Sequence, residues 1–170
     1  MAQKPKKPGK PEPPEPRASR PIREITGLPK ELSSAAYLAL VEHGRALAIA
    51  LDARLTIHAL NLSDAGGSAH ERETHQLPGR ASALAESSLG LVVAEEHDEE
   101  PTLTLLRHGA LLPLLTLDGP IVSLATAGVF GHVIHRPQGY GARLARIDLH
   151  QRQAIAERQL DHANMAVAVD

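Results

Sequence analysis

The chain has 170 residues, of which 42% are hydrophobic and only 2% aromatic, and its formal net charge is −2. A chain of this length is expected to form one domain with a sizeable core. The absence of cysteine excludes a disulfide scaffold, a thiolate zinc site and thiol catalysis. The small net charge and the scarcity of aromatic side chains argue against nucleic-acid binding. No apolar run is long enough to span a membrane, so we expect a cytoplasmic protein without a membrane partner.

Residues 1–21 differ in composition from the rest of the chain. They hold seven of the 13 prolines, six Lys or Arg and two Glu, which gives this segment a charge of +4 and leaves −6 for the remainder. Because its only large apolar side chain is Met1, the segment cannot offset the entropy of ordering, and we predict a disordered tail. Its Pro11–Pro14 spacing also fits a proline-rich peptide ligand. Residues 22–170 are assigned to the folded body.

The body contains repeated segments. Ala39–Ala50, Ala83–Ala94 and Ser123–Ile134 align without a gap over twelve positions, each with two apolar runs around a polar or glycine-containing turn. A third strand-like segment follows each pair, at residues 54–60, 102–106 and 143–149, and residues 164–169 resemble the start of a fourth unit. Such self-similarity at a fixed period indicates a repeat architecture.

A spacing of 40 to 44 residues with about four short strands per unit is typical of β-propeller blades. The sequence therefore predicts an all-β fold with three blades, at about residues 36–77, 81–118 and 120–160, followed by the first strand of a further blade at 163–169. The predicted strands are 36–42, 46–51, 54–60 and 72–77, then 81–85, 90–95, 102–107 and 110–117, then 120–126, 130–135, 143–149 and 154–160, with a strand-like segment at 21–26 before them.

Two short segments carry a resemblance to known propellers. Residues 51–60, Leu-Asp-Ala-Arg-Leu-Thr-Ile-His-Ala-Leu, look like a tight turn followed by the third strand of a blade. Ile147-Asp148-Leu149 stands where a Trp-Asp dipeptide would be, with Ile in place of Trp. In these features the chain resembles the WD40 and quinoprotein-like propeller families over about residues 36–169, and the resemblance implies a propeller fold.

Helix propensity supports a different fold for two segments. Ser33–Leu51 is rich in Ala and Leu, and Ala142–Ala168 has Gln, Arg and Glu at helical intervals, so both have the composition of helices. A single α+β domain with helices at these two places requires no repeat, and it is the alternative to the propeller.

Ten histidines raise the question of a metal site. His70 and His75 enclose H-E-x-x-x-H, one residue longer than the zinc-protease spacing, so on a helix the two side chains would diverge. His132 and His135 are three apart and would point to opposite faces of a strand. Three others lie in or beside predicted turns and are expected to be solvated: His43, His97 and His108. Histidines from different blades can also converge at a propeller mouth, but no metal site is assigned.

One loop is strongly acidic. It lacks the glycine and the ligand spacing of a calcium loop, and we interpret it as a solvated connection and the most obvious docking patch for a cationic partner: Glu95, Glu96, His97, Asp98, Glu99 and Glu100. The sequence also lacks a phosphate-binding loop and a serine nucleophile elbow, so no catalytic residue and no cofactor are assigned.

The number of blades shapes the functional prediction. Three blades cannot close a ring, because natural propellers use about four to eight, so the chain is expected to be a fragment of a longer propeller or a subunit that associates with other copies. We expect a non-catalytic protein-interaction or scaffold module whose partner is another protein or itself. The alternatives are part of a propeller enzyme, such as a metal-dependent lactonase-like hydrolase, and a small α+β regulatory protein.

Overall fold

The computed structural model describes residues 25–29, 32, 36–63, 66–97, 100–139 and 141–160. This part of the chain forms strands and turns with no α-helix, so the predicted all-β class is confirmed and helices at 37–51 and 143–159 are excluded. It also contains no helix able to cross a membrane. The predicted tail and the strand predicted at 163–169 lie outside the described residues.

In the described residues, thirteen strands form three separate sheets. The first sheet contains β1 (Ile25–Thr26), β2 (Tyr37–Val41), β3 (Ala46–Leu51), β4 (Arg54–Ser63) and β5 (Gly66–Gln76). The second contains β6 (Arg80–Ser87), β7 (Gly90–Glu96), β8 (Thr102–Arg107) and β9 (Ala110–Thr116). The third contains β10 (Ile121–Ala127), β11 (Phe130–His135), β12 (Arg143–Asp148) and β13 (Gln153–Gln159).

Each sheet is an antiparallel meander of four strands, as in a propeller blade. Strand β1 is added to the first sheet by parallel pairing with β5. The first strands of successive sheets lie side by side, β2 against β6 and β6 against β10, and we call these three the inner strands. The twelve strands predicted for the three blades are found at their predicted places, except that β4 and β5 form a longer hairpin where a loop was expected at 61–71.

The sheets pack face to face through two apolar cores, which follow from alternation along the strands. In β3, the small residues Ala46, Ala48 and Ala50 face the second sheet and are fully buried. In β7, Leu91 and Val93 face the first sheet, whereas Val92 and Ala94 face the third. The middle sheet is therefore covered on both faces, which explains the continuous apolar run of β7.

The register of the first hairpin corrects the gapless repeat alignment. Ala83 pairs with Ala94, and Ser123 pairs with Ile134, as the alignment requires. In the first sheet, however, the partner of Ala50 is Tyr37 rather than Ala39. The turn between β2 and β3 is thus two residues longer than the corresponding turns of the other sheets. Because the difference is an even number, the same face of each inner strand still points toward the core.

The strands run between two ends of the array. The "hairpin end" carries the turns that follow the first and third strands of each four-stranded meander, which are β2 and β4 in the first sheet. The "connector end" carries the turns after each second strand, together with the links between sheets. Each candidate site lies at one of these ends or on the open face of the first sheet, which is the face turned away from the second sheet.

Candidate functional sites

A cleft of about 760 Å³ lies at the hairpin end between the first and second sheets. One wall is the longer turn of the first sheet, residues 42–45, and the other includes the β8–β9 turn at His108 and Gly109. We call it the hairpin-end cleft. Its volume falls within the range of small-molecule pockets, roughly 300 to 1,000 Å³.

The turn from Glu42 to Arg45 has an uncommon backbone. Glu42, His43 and Gly44 have φ values of 55°, 58° and 80°, a left-handed conformation that glycine adopts freely but other residues adopt at a cost. The N–H groups of Gly44 and Arg45 donate to the carbonyls of Val41 and Glu42, at 3.1 and 3.2 Å. Two consecutive non-glycine residues in this region of backbone space need support from their surroundings.

That support comes from both neighbouring strands. Arg72, at a bulge in β5, donates two hydrogen bonds to the Glu42 carboxylate at 2.5 and 2.9 Å, and its Nε donates to Glu73 at 3.0 Å. The backbone N–H of Glu42 donates to the Glu86 carboxylate at 2.6 Å, which links the turn to the second sheet. The hydrogen bond with Arg72 lowers the pKa of Glu42 below its usual value, and the same bond raises the pKa of Arg72. This fork geometry is the strong form of an ion pair.

The cleft also contains arginine and histidine side chains that the turn does not use. Within the described residues, the side chains of His43, Arg107 and His108 make no hydrogen bond or ion pair, and all three are exposed. The Arg45 guanidinium is exposed as well, and its charge contributes to lowering the pKa of Glu42. Cationic groups without acceptors therefore lie on both walls of the cleft.

A second groove, of about 1,100 Å³, lies at the connector end between the second and third sheets. We call it the connector-end groove. Of the predicted docking loop, it is lined by Glu96, His97 and Glu100, and Asp118 adds a further carboxylate. Asp98 and Glu99 lie outside the described residues. Glu96 is paired with Arg80 at 3.2 Å, Asp118 lies 3.9 Å from Arg143, and Arg136 also lines the groove, so the acidic character of the groove rests mainly on Glu100.

Glu95 is not part of a solvated loop, contrary to the expectation for this segment. It is the sixth residue of β7, its side chain is 0% exposed, and one carboxylate oxygen accepts the backbone N–H of Gly79 at 2.9 Å. The same oxygen lies 3.7 Å from Nε2 of His97, and the other has no hydrogen-bond partner. Alternation along β7 turns this residue toward the link with the first sheet, where it fixes the backbone.

His135 occupies the corresponding position of the third sheet. It is 0% exposed, and its Nδ1 lies 3.1 Å from a carboxylate oxygen of Asp118, although the two groups are not oriented for a hydrogen bond. His132 lies on the opposite face of β11, as predicted, beside Arg146. Burial, and to a lesser extent the Arg146 charge, lower the pKa of His132.

The other predicted histidine sites are distributed over the surface. His70 is exposed and His75 is half-buried on strand β5, where His75 lies 3.3 Å from Glu73. His43 and His108 are exposed in turns as expected, whereas His97 is half-buried. Among the described residues no group of three or more His, Asp or Glu side chains is arranged to hold a metal ion.

A third surface is the open face of the first sheet. Each inner strand carries a leucine opposite Ile49, Val93 or Val133 of the next strand, namely Leu38, Leu84 or Leu124. Leu84 and Leu124 pack into the cores against the preceding sheet. Leu38 is 53% exposed, and Leu40 on the same face is 61% exposed. Leu38 thus occupies the position of a docking leucine, but among the described residues no sheet precedes the first one.

Two residues that precede β2 lie against the outer part of this open face. Pro29 and Leu32 lie beside Ile49, Thr56 and Glu71 around a small pocket of about 260 Å³. Ile49 and Thr56 are buried. The inner strand β2 is left exposed at Leu38 and Leu40.

Comparison of the chain with protein-family models gives no match, and comparison with curated proteins finds no significantly similar sequence. The sites are consequently interpreted from their own geometry.

Sequence reasoning missed the hairpin-end cleft because its central pair, Glu42 and Arg72, lies 30 residues apart. A signal was present in the repeat: allowing a two-residue gap in the alignment would have isolated the turn at 42–45.

Proposed function

We propose that this protein is a non-catalytic protein-interaction module of propeller type that works as a subunit of a larger ring. The observation that carries the proposal is the exposed Leu38, which occupies the position of two leucines that dock one sheet on another. A large exposed apolar patch on a soluble protein commonly marks an interaction site. The resemblance of residues 51–60 and 147–149 to WD40 and quinoprotein-like propellers supports the same interpretation.

The partner on this face is a second copy of the chain. Leu84 and Leu124 dock on small side chains of the preceding sheet, including Ala48 in the first junction and Ala83 in the second. The third sheet carries a small residue, Ala125, on the outer side of its inner strand, because Ala125 pairs with His132. Ala125 is half-buried. The junction we propose therefore brings Leu38 of one copy against Ala125 of the other.

The number of sheets needed to close a ring favours a dimer over a monomer or a trimer. The described part of one chain supplies three sheets, so two copies supply six and three supply nine, while propellers close with about four to eight blades. Two copies joined head to tail through identical junctions give a closed assembly with two-fold symmetry. Closure also protects the open face and the inner edge of β2 from other associations.

Charge on the two faces supports the pairing. Glu71 lies on the open face of the first sheet, in the row that contains Leu47 and His58, where it also lies 3.7 Å from Arg54. Arg146 lies on the outer face of the third sheet, opposite His132 in the register. Opposite charges on two surfaces favour their association and fix its orientation.

The experiment is a mass measurement in solution by light scattering across a wide range of protein concentration. We expect twice the 18.1 kDa of one chain, and we expect Leu38→Asp to give a folded monomer whose melting temperature no longer depends on protein concentration. Ala110→Asp, which adds the same charge to an exposed position of the middle sheet, serves as the control and should remain a dimer. A monomeric wild type, or a dimeric Leu38→Asp variant, would contradict the proposal.

A charge exchange tests the orientation of the two copies. Glu71→Arg and Arg146→Glu should each weaken the dimer, and the double variant should recover it. If the double variant is weaker than either single one, the head-to-tail junction is wrong even though self-association stands.

The acidic residues of the connector-end groove provide a second docking surface in this proposal. Glu100 and Asp118 would attract a Lys- or Arg-rich segment of another protein, as the sequence predicts for residues 95–100. Glu100→Gln combined with Asp118→Asn should weaken binding of a lysine-rich peptide while leaving the mass of the assembly unchanged.

A further inference from the structure

We propose that the hairpin-end cleft binds a small anion that carries carboxylate or phosphate groups. This site is separate from the open face of the first sheet, so the inference does not depend on self-association.

The acidic and the cationic side chains of the cleft differ in whether they already have hydrogen-bond partners. The acidic side chains of the cleft already have donors: Glu42 and Glu73 bind Arg72, and Glu86 accepts the N–H of Glu42. The cations at its rim have no acceptors, with Arg45 on one wall and Arg107 on the other. Arginine is suited to oxyanions because its planar fork donates two parallel hydrogen bonds. An oxyanion between the walls would satisfy groups that the fold leaves open.

The wall of the cleft that residues 42–45 form is held in place by hydrogen bonds. The turn at residues 42–45 is the longer one found only in the first of the three described sheets, and its left-handed backbone is fixed by Arg72 and Glu86. The β6–β7 turn that lines the cleft is linked to the third sheet as well: the Ser88 N–H donates to Gly128 O at 2.9 Å, and the Thr126 hydroxyl donates to Glu86 O. A preorganised site loses less entropy on binding than a mobile one.

Histidine and serine side chains of the cleft can also donate hydrogen bonds to an anion. His43 and His108 project from the two turns, and each can donate a hydrogen bond in its neutral or charged form. Ser88 adds a hydroxyl to the lining of the cleft. The cleft thus offers donors of several kinds around a space of about 760 Å³, which accommodates a ligand larger than a single inorganic ion.

Calorimetric titration of the full chain at low ionic strength tests the site, with citrate as the carboxylate probe and pyrophosphate as the phosphate probe. We expect at least one of the two to bind with one site per chain, and the tighter of the two identifies the chemical source of the anion. Added salt should weaken the binding, because exposed charges are screened. Failure of both probes to bind at low ionic strength would overturn the proposal.

Substitutions then locate the binding. Arg107→Gln and Arg45→Gln should each reduce the affinity of the preferred probe by about tenfold, as expected for losing a hydrogen bond to a charged group. Both side chains are exposed, so the melting temperature should not change. Arg158→Gln, which removes an exposed arginine from the outermost strand of the third sheet, is the matched control and should bind as the wild type does.

The two substitutions also separate this site from any other cationic patch. If Arg107→Gln and Arg45→Gln both bind like the control, the anion binds elsewhere and the assignment is wrong. The same titration on Leu38→Asp should give unaltered affinity, which distinguishes failure of the anion site from failure of the proposed dimer.

Discussion

The connector end repeats itself from sheet to sheet, whereas the hairpin end differs in the first sheet. At the connector end, a backbone N–H after the fourth strand donates to a carbonyl in the turn after the second strand in all three sheets: Leu77 to Ala53, Leu117 to Pro101 and Leu160 to Ala142, at 2.7 to 2.9 Å. At the hairpin end, the first turn is longer, left-handed and fixed by Arg72. The recurring hydrogen bonds connect strands within each sheet, whereas the departure from the repeat forms the cleft with unpartnered cations.

This contrast predicts where substitutions change stability and where they change binding. Substitutions at the connector end should lower the free energy of unfolding and leave anion binding intact in the folded fraction. Substitutions in the hairpin-end turn should weaken anion binding and change the free energy of unfolding only slightly.

The largest expected effect is at Gly119, in the link between the second and third sheets. A Cβ added there would overlap the carbonyl of Arg136, and at the corresponding Gly79 it would lie 2.7 Å from the carbonyl of Glu96. Because backbone cannot move aside cheaply, we expect Gly119→Ala to lower the free energy of unfolding by about 3 kcal/mol. Urea unfolding measures it.

Gly141→Ala is the matched control for that change. Its added Cβ would make only ordinary contacts, with nearest atoms at 3.7 and 3.8 Å, so stability should be unchanged or slightly higher. Equal losses at Gly119 and Gly141 would mean that the tight link is not a source of stability.

The next effect is at Glu95. Removing its carboxylate in Glu95→Ala leaves the Gly79 N–H without its acceptor in a buried place, which should cost about 2 kcal/mol. Glu95→Gln keeps an acceptor oxygen and should retain most of the stability. If the two variants are equally destabilised, the charge of Glu95 matters more than its hydrogen bond.

The smallest effect on stability is expected from the clamp at the hairpin end. Glu42 and Arg72 are substantially exposed, so Glu42→Gln should cost about 1 kcal/mol or less near neutral pH. Because Arg72 lowers the pKa of Glu42, the contribution is complete above the usual pKa of 4.5 and is lost as the pH falls through the lower folded value.

Unfolding of wild type and Glu42→Gln at neutral and at acidic pH measures this loss directly. The stability difference between them should shrink toward zero on acidification. A difference that stays constant would show that Glu42 acts through packing and not through its charge.

The fold could be predicted from sequence to the extent that its signals are local. The alternation of Ala with Leu and Ile over 46–51 defined β3, and the His-Gly pair at 108–109, with φ values of 50° and 74°, is a two-residue hairpin turn. Burial of Glu95 could not be predicted, because the surrounding Glu and Asp residues give the segment the composition of a solvated loop. Its partner, Gly79, comes from a different part of the chain.

By itself, the sequence determined the class and the repeat, because the period of two along a strand and the glycines at turns are properties of neighbouring residues. Only the tertiary structure decided the register of β2, the parallel addition of β1 to β5 and the meeting of Glu42 with Arg72. These depend on which strands pair and on which face is covered, and pairing over tens of residues leaves no periodic trace in the chain.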